Sequence, residues 1–185
     1  DTAPPGDYNF RKALKLSSNA YFIRAGLWTG IEPIVELGQR LHLGERTGLD
    51  TFQDNKGGSF PTLETVRSGW HDEYTASVCI GQHPILVTPL QMAVMTCALA
   101  NGGKVLVPPL VQRIEPQNST LGKPPILYSA GRVLDQLGVS KRSLSILKEA
   151  MLADVEDPDG TGKQAFLRDL RICGKTGTAQ VEDSQ

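Results

Sequence analysis

Leu170-Arg171-Ile172-Cys173-Gly174-Lys175-Thr176-Gly177-Thr178-Ala179-Gln180 is expected to form a strand. Its second half, continuing into Val181, suits extended backbone better than a helix start. Such a strand presents an ammonium, two hydroxyls and a stretch of backbone without side chains. Just upstream, Asp157-Pro158-Asp159-Gly160-Thr161-Gly162 is rich in turn formers. Before that turn, Ser143 to Val155 has Leu144, Leu147, Met151 and Val155 at helical spacing. Helices are expected to dominate the middle of the chain and strands to come late, which is the α+β class.

Further out, Phe10 to Leu27 reads as a helix interrupted at Ser17-Ser18-Asn19, because such residues compete for backbone hydrogen bonds and favour breaks and caps. Glu32 to Leu41 is a second helix with Ile34, Leu37 and Leu41 on one side. Thr51 to Thr62 is an irregular loop, and Ala76 to Ile80 a short buried strand ending at Gly81. Thr88-Pro89-Leu90-Gln91 opens a helix with a capping box, and Asn101-Gly102-Gly103 ends it. Val105-Leu106-Val107 follows, and Leu110 to Ile114 is a further strand. No linker divides the chain into two cores.

Composition narrows the function. The 185 residues are 39% hydrophobic and 21% charged, as in a folded globular protein. Lys and Arg number 19 against 20 acidic residues, so no broad basic field exists to hold nucleic acid. Cys79, Cys97 and Cys173 lack metal spacing and are expected to be small buried residues. His42, His71 and His83 form no HxxxH pattern, so neither a metal nor a cofactor is expected. No apolar run reaches the roughly 18 residues needed to cross a bilayer.

Ser17-Ser18-Asn19 and Gly174-Lys175-Thr176-Gly177-Thr178 together suit carboxylate binding and acyl transfer through a serine. A phosphate loop is the competing reading of Gly174-Lys175-Thr176. That pattern needs glycine five positions before Gly174, and Asp169 stands there. Alone, each triplet arises often by chance. Together, in order and in their flanks, they resemble the Ser-x-Asn and Lys-Thr-Gly motifs of penicillin-binding protein transpeptidase domains. Ile80-Gly81-Gln82 before Thr88-Pro89-Leu90-Gln91-Met92-Ala93 is similar to another signature of that family. So are Ala100-Asn101-Gly102-Gly103 with Pro108-Pro109-Leu110-Val111, and Gly160-Thr161-Gly162 before the last motif. Ser17 and Lys175 are 158 positions apart. That gap is similar to the class B, elongation-type enzymes (penicillin-binding protein 2) and unlike compact class A β-lactamases. His83 replaces a usual glycine, and Thr51-Phe52-Gln53-Asp54 replaces a usual Leu-Pro-Gly-Glu. The family's first motif, Ser-x-x-Lys, is met only by Ser145-Ile146-Leu147-Lys148, in the wrong order and on a packing helix. The nucleophile is therefore expected upstream of Asp1.

The resemblance implies an α/β sandwich of the serine β-lactamase and transpeptidase type. Residues 1–185 would supply its helical portion and Lys-Thr-Gly strand, a partial domain truncated at both ends whose strand has unpaired edges. It implies peptidoglycan cross-linking through a serine acyl-enzyme, with stem peptides and β-lactams as ligands and cell-wall elongation proteins as partners. It places the parent in the bacterial inner membrane, with this domain on the outer side. Lys175 would attract the substrate carboxylate, and Thr176 and Thr178 would donate hydroxyl hydrogen bonds to it. Gly177 would let an extended peptide approach, and the N–H of Thr178 would serve the oxyanion hole. Ser17 would relay a proton and Asn19 would pair with a substrate amide. A β-lactam sensor or class D β-lactamase usually carries Ser-x-Val, so Asn19 argues against either. A non-catalytic scaffold is the remaining alternative, and the intact Ser17, Asn19, Lys175, Thr176 and Thr178 argue against decay.

Overall fold

The computed structural model describes residues 3–47, 57–82, 84–117, 124–128 and 131–178. His83 and residues 51–54, where the chain departs from the family pattern, lie outside the described residues. The chain does not divide at a linker, yet it gathers into two compact units built from interleaved stretches. One comprises residues 1–35, 61–85 and 139–185, the other residues 36–60 and 86–138. Because each unit is assembled from separate segments, no linker composition marks the division.

The first unit is helical. Helix α1 spans Phe10–Lys15 and α2 Asn19–Thr29, with α3 (Ile31–Arg40) beginning here. Then come α4 (Leu63–Arg67), α5 (Asp72–Cys79) and α7 (Lys141–Glu156), with a short 3-10 turn at Lys163–Ala165. Helix α1 packs on α7 and α2 on α5. Ala13 and Leu14 of α1 and Leu144, Ala150, Ala153 and Val155 of α7 are buried. Helix α5 corrects the expected strand at Ala76–Ile80. A short apolar run cannot by itself distinguish helix from strand. Here Asp72 and Glu73 favour a helix N-terminus, and Thr75 and Val78, three apart, are buried on one face. Its end explains the Ile80-Gly81-Gln82 signature. Gly81 takes φ 71°, and the N–H groups of Gly81 and Gln82 close on the carbonyls of Val78 and Ser77. Helix α2 accepts α5 at close range because Gly26 has no side chain, and a Cβ there would sit 2.0 Å from Cys79 Sγ.

The second unit holds the end of α3, helix α6 (Pro89–Ala100) and two small antiparallel sheets. Strand β1 (Lys104–Leu106) pairs with β4 (Val133–Gln136), and β2 (Arg113–Ile114) with β3 (Ile126–Leu127). Strands thus come in the middle of the chain as well, and of the expected strand Leu110 to Ile114 only β2 is paired. The core gathers Leu41, Ala98, Val105 and Leu137. The capping box at Thr88 forms as expected, and its Gln91 is buried. Gln91 Oε1 accepts from the Thr88 N–H, and Nε2 donates to the carbonyls of Glu45 and Gly57 at 2.9 and 2.6 Å. The buried amide is thereby satisfied at both ends.

Residues 171–178 belong to no helix and to no paired strand, so the expected strand from Leu170 is not a ladder strand among the described residues. A ladder needs a neighbour, and the Gly174 N–H instead donates to the Met151 carbonyl of α7 at 3.1 Å. The cysteines also differ from expectation. Cys79 is half-buried, while Cys97 and Cys173 are exposed.

Candidate active site

Helix α1 ends in a tight cap. The Ser17 N–H bonds the Leu14 carbonyl and the Ser18 N–H the Ala13 carbonyl, the paired closure of a Schellman motif. That motif places one residue in the left-handed region, usually glycine. Here it is Ser17, with φ 55°. A serine there costs about 1 kcal/mol that glycine would not. Ser18 then caps α2, its Oγ accepting from the Tyr21 N–H at 3.4 Å, and is buried. The triplet therefore divides its labour. Ser18 is spent on the fold, Ser17 is half-buried at a strained corner, and Asn19 is exposed at the first position of α2.

The turn after α7 is fastened to that corner. Lys15 Nζ pairs with Asp159 at 2.7 Å and Asp157 at 3.1 Å, and Arg11 pairs with Asp157. These contacts raise the Lys15 ammonium above its ordinary pKa, chiefly through the Asp159 hydrogen bond, and lower the Asp159 carboxyl for the same reason. The Thr161 N–H donates to the Lys15 carbonyl at 3.2 Å, two residues before Ser17.

Thr161 reaches the second motif as well. Its Oγ1 lies 2.7 Å from Thr176 Oγ1. Lys175 Nζ donates to Thr176 Oγ1 at 3.0 Å and to the Thr176 carbonyl at 3.2 Å. On its other side Thr161 meets Asp154, a fully buried residue of α7. Asp154 Oδ1 accepts from Thr161 Oγ1 at 2.6 Å, the Thr161 N–H at 2.9 Å and the Gly162 N–H at 3.2 Å. Thus Thr161 links the Ser17 corner to Lys175 and Thr176.

Lys175, Thr176, Gly177 and Thr178 are all exposed. Surrounding atoms nevertheless pull the Lys175 ammonium below its ordinary pKa by desolvation, against the opposing charge of Asp154. A Cβ on Gly177 would meet nothing within 4 Å among the described residues, so its face is open. An open cleft of about 620 Å³ lies beside Ser18, lined in part by Tyr8, Ala20, Tyr21 and Arg24, and does not include the Lys175 segment. Ser145 is exposed on α7, with Oγ 3.3 Å from Glu149 Oε1, an ordinary i to i+4 contact. Among the described residues no group of His, Cys, Asp and Glu side chains could hold a metal ion.

Sequence reasoning missed Asp154, and used Thr161 only as part of a turn. A signal for Asp154 was present. It follows Leu147 and Met151 at i+7 and i+3, so an acidic residue occupies the apolar stripe of α7.

The chain is similar to known proteins over nearly all its length. It is 33% identical over 181 residues to the peptidoglycan D,D-transpeptidase MrdA of Haemophilus influenzae, an alignment covering 95% of this chain and 27% of that protein. It is 31% identical to the MrdA of Acinetobacter baumannii, covering 96% and 26%. The chain thus spans about a quarter of the length of these relatives. Its fold is similar to that of Pseudomonas aeruginosa PBP2 solved with WCK 5153, with a TM-score of 0.77, 27% identity, and 96% and 39% of the two chains covered. It is also similar to PBP2 in the complex with MreC from Helicobacter pylori, with a TM-score of 0.70, 28% identity, and 96% and 32% covered. The family model for the penicillin binding protein transpeptidase domain matches residues 2–185, and the chain belongs to that family.

Proposed function

We propose that this chain is the part of a peptidoglycan D,D-transpeptidase that carries the second and third active-site motifs. The observation that carries this reading is the linkage through Thr161, which holds exposed Lys175 and Thr176 to the C-terminal end of α1, two residues before Ser17. In this reading a serine upstream of Asp1 attacks the penultimate D-Ala carbonyl of a stem peptide and expels the terminal D-Ala. An amine from a second strand then resolves the acyl-enzyme, and β-lactams enter as mimics of the dipeptide. Lys175 attracts the carboxylate, and its charge favours a deprotonated lysine base beside the nucleophile. Ser17 passes a proton toward the leaving nitrogen from the left-handed corner that follows α1. Asn19 pairs with a substrate amide, and Gly177 leaves the edge open for it. The Thr178 N–H is the oxyanion donor, a role whose loss costs about 3 kcal/mol. The longer protein is placed at the inner membrane with this domain outside. Among the described residues, no helix is long and apolar enough to cross a membrane. The Helicobacter pylori structure motivates an MreC-like elongation protein as partner.

The test is a fluorescent penicillin added to the full-length protein. The label should sit on a serine upstream of Asp1, and the 185-residue chain alone should form no covalent adduct. Labelling of Ser145 would sink the reading.

A further inference from the structure

We infer that Asp154 is a positioning residue for this site. Through Thr161 it commits the Thr176 hydroxyl as a donor toward the protein interior, so that Thr176 offers only lone pairs to Lys175. The inference rests on the transpeptidase reading for its consequence, but its geometry stands apart from it.

Proton counting supplies the argument. A backbone N–H can only donate, and two of them point at Asp154 Oδ1, from Thr161 and Gly162. Oδ1 is therefore an acceptor. A hydroxyl has one proton to give. Thr161 Oγ1, 2.6 Å from Oδ1, gives it there. Toward Thr176 Oγ1, 2.7 Å away, Thr161 can then only accept, so Thr176 donates. Lys175 Nζ has no lone pair, and at 3.0 Å it donates to Thr176 Oγ1. The bonds run in one direction, from Lys175 through Thr176 and Thr161 to Asp154, and each polarises the next.

The carboxylate closes the turn after α7 through two backbone N–H groups, and the same oxygen also takes the Thr161 hydroxyl. Asp154 lies between buried Ala153 and Val155, is itself fully buried, and has no hydrogen-bond partner for Oδ2 among the described residues. Such burial is costly unless the group is hydrogen-bonded, and all of its hydrogen bonds among the described residues fall on Oδ1. The turn is shaped to reach it. A Cβ on Gly160 would stand 2.1 Å from the Asp154 carbonyl oxygen, and one on Gly162 would stand 2.9 Å from Oδ2. Thr176 is thereby held with its oxygen against Lys175, where it steadies the ammonium.

The experiment measures second-order acylation by benzylpenicillin in the full-length protein, with a thermal melt for each variant. Thr161→Val removes the link at nearly constant shape and should slow acylation by about 10-fold, the scale of one hydrogen bond near a charge. Thr161→Ser should stay within about twofold of wild type, since the hydroxyl returns. Adding Thr176→Val to Thr161→Val should cost little more, because the two side chains act as one chain. Wild-type acylation in Thr161→Val, equal slowing in the valine and serine variants, or fully multiplicative effects would overturn the inference. A wild-type protein that is never acylated defeats the transpeptidase reading instead. Neutron diffraction then decides the proton order by itself. The Thr161 deuterium should point at Asp154 Oδ1 and the Thr176 deuterium at Thr161 Oγ1, and the reverse order refutes the proposal. The same measurement decides if Thr161→Val fails to fold.

Discussion

Gly177→Ala separates a ligand-binding edge from an ordinary loop. Glycine is usually explained by backbone or by packing, and neither explanation serves at Gly177. Its φ is not in the left-handed region, and an added Cβ would meet nothing within 4 Å among the described residues. Alanine should therefore fit the folded chain without strain. It also restricts the unfolded chain, a stabilisation of about 0.4–1 kcal/mol at compatible sites. The melting temperature should hold or rise by about a degree or two. The ligand should respond in the opposite way. A peptide or β-lactam lying along this edge must approach the backbone where the new methyl stands. Inserting a methyl into a packed contact costs about 1–3 kcal/mol. That corresponds to roughly 5- to 150-fold in the acylation rate constant. The assay is stopped-flow acylation of the full-length protein by a fluorescent penicillin, beside a thermal melt. Normal acylation in Gly177→Ala would refute the idea that ligand lies along this edge. A lowered melting temperature would refute the claim that the fold has no use for the glycine.

Lys175→Ala should slow acylation far more than it lowers the melting temperature, because the side chain is exposed and, in the proposed reading, its charge serves the ligand. Lys175→Arg should recover part of the rate, as charge returns on a broader, planar head, and near-normal acylation in Lys175→Ala would favour the scaffold alternative. The Lys15–Asp159 pair should give a pH signature in melts of wild type against Lys15→Met. The Asp159 pKa is depressed on folding, so the gap should be full above its ordinary value of 3.8 and close as pH falls through the lowered one. The Lys15 pKa is raised, so the gap should also close as pH rises past 10.5 through the raised value. A gap that ignores pH would show the pair to be idle.

The sequence was legible where structure is written in local chemistry. The α1–α2 break at Ser17-Ser18-Asn19, the Thr88 capping box and the glycine stop after α6 are events of a few neighbouring residues, and all three formed. Reading failed where the partner is distant. Lys104 faces Gln136 and Arg113 faces Leu127, and strands of two to four residues carry too little pattern to announce such pairings. The same limit applied at the site. Lys175 and Thr176 belong to a recognisable motif, but the bond from Thr176 to Thr161 and from there to Asp154 spans the turn and the end of α7. Local spacing holds no record of it.

Three positions break a rule of folding, and each belongs to the proposed site. Ser17 occupies a left-handed corner where glycine would be easier. Asp154 places a carboxylate on a buried helical stripe and leaves one oxygen without a hydrogen-bond partner among the described residues. Gly177 gives up a side chain where the described fold would tolerate one. Ser17 and Gly177 are each a small loss of stability, and among the described residues Asp154 is satisfied at Oδ1 alone. A chain selected for stability alone has inexpensive remedies at the first and the third, namely glycine and alanine. Departures from local rules are expected where function is the return on them. Thr161 ties two of the three together, since its N–H reaches the segment ahead of Ser17 and its hydroxyl reaches Asp154. The third lies one residue beyond its other partner, Thr176. The departures are therefore concentrated around one threonine, and that concentration is a physical argument for a working site that owes nothing to the motif names.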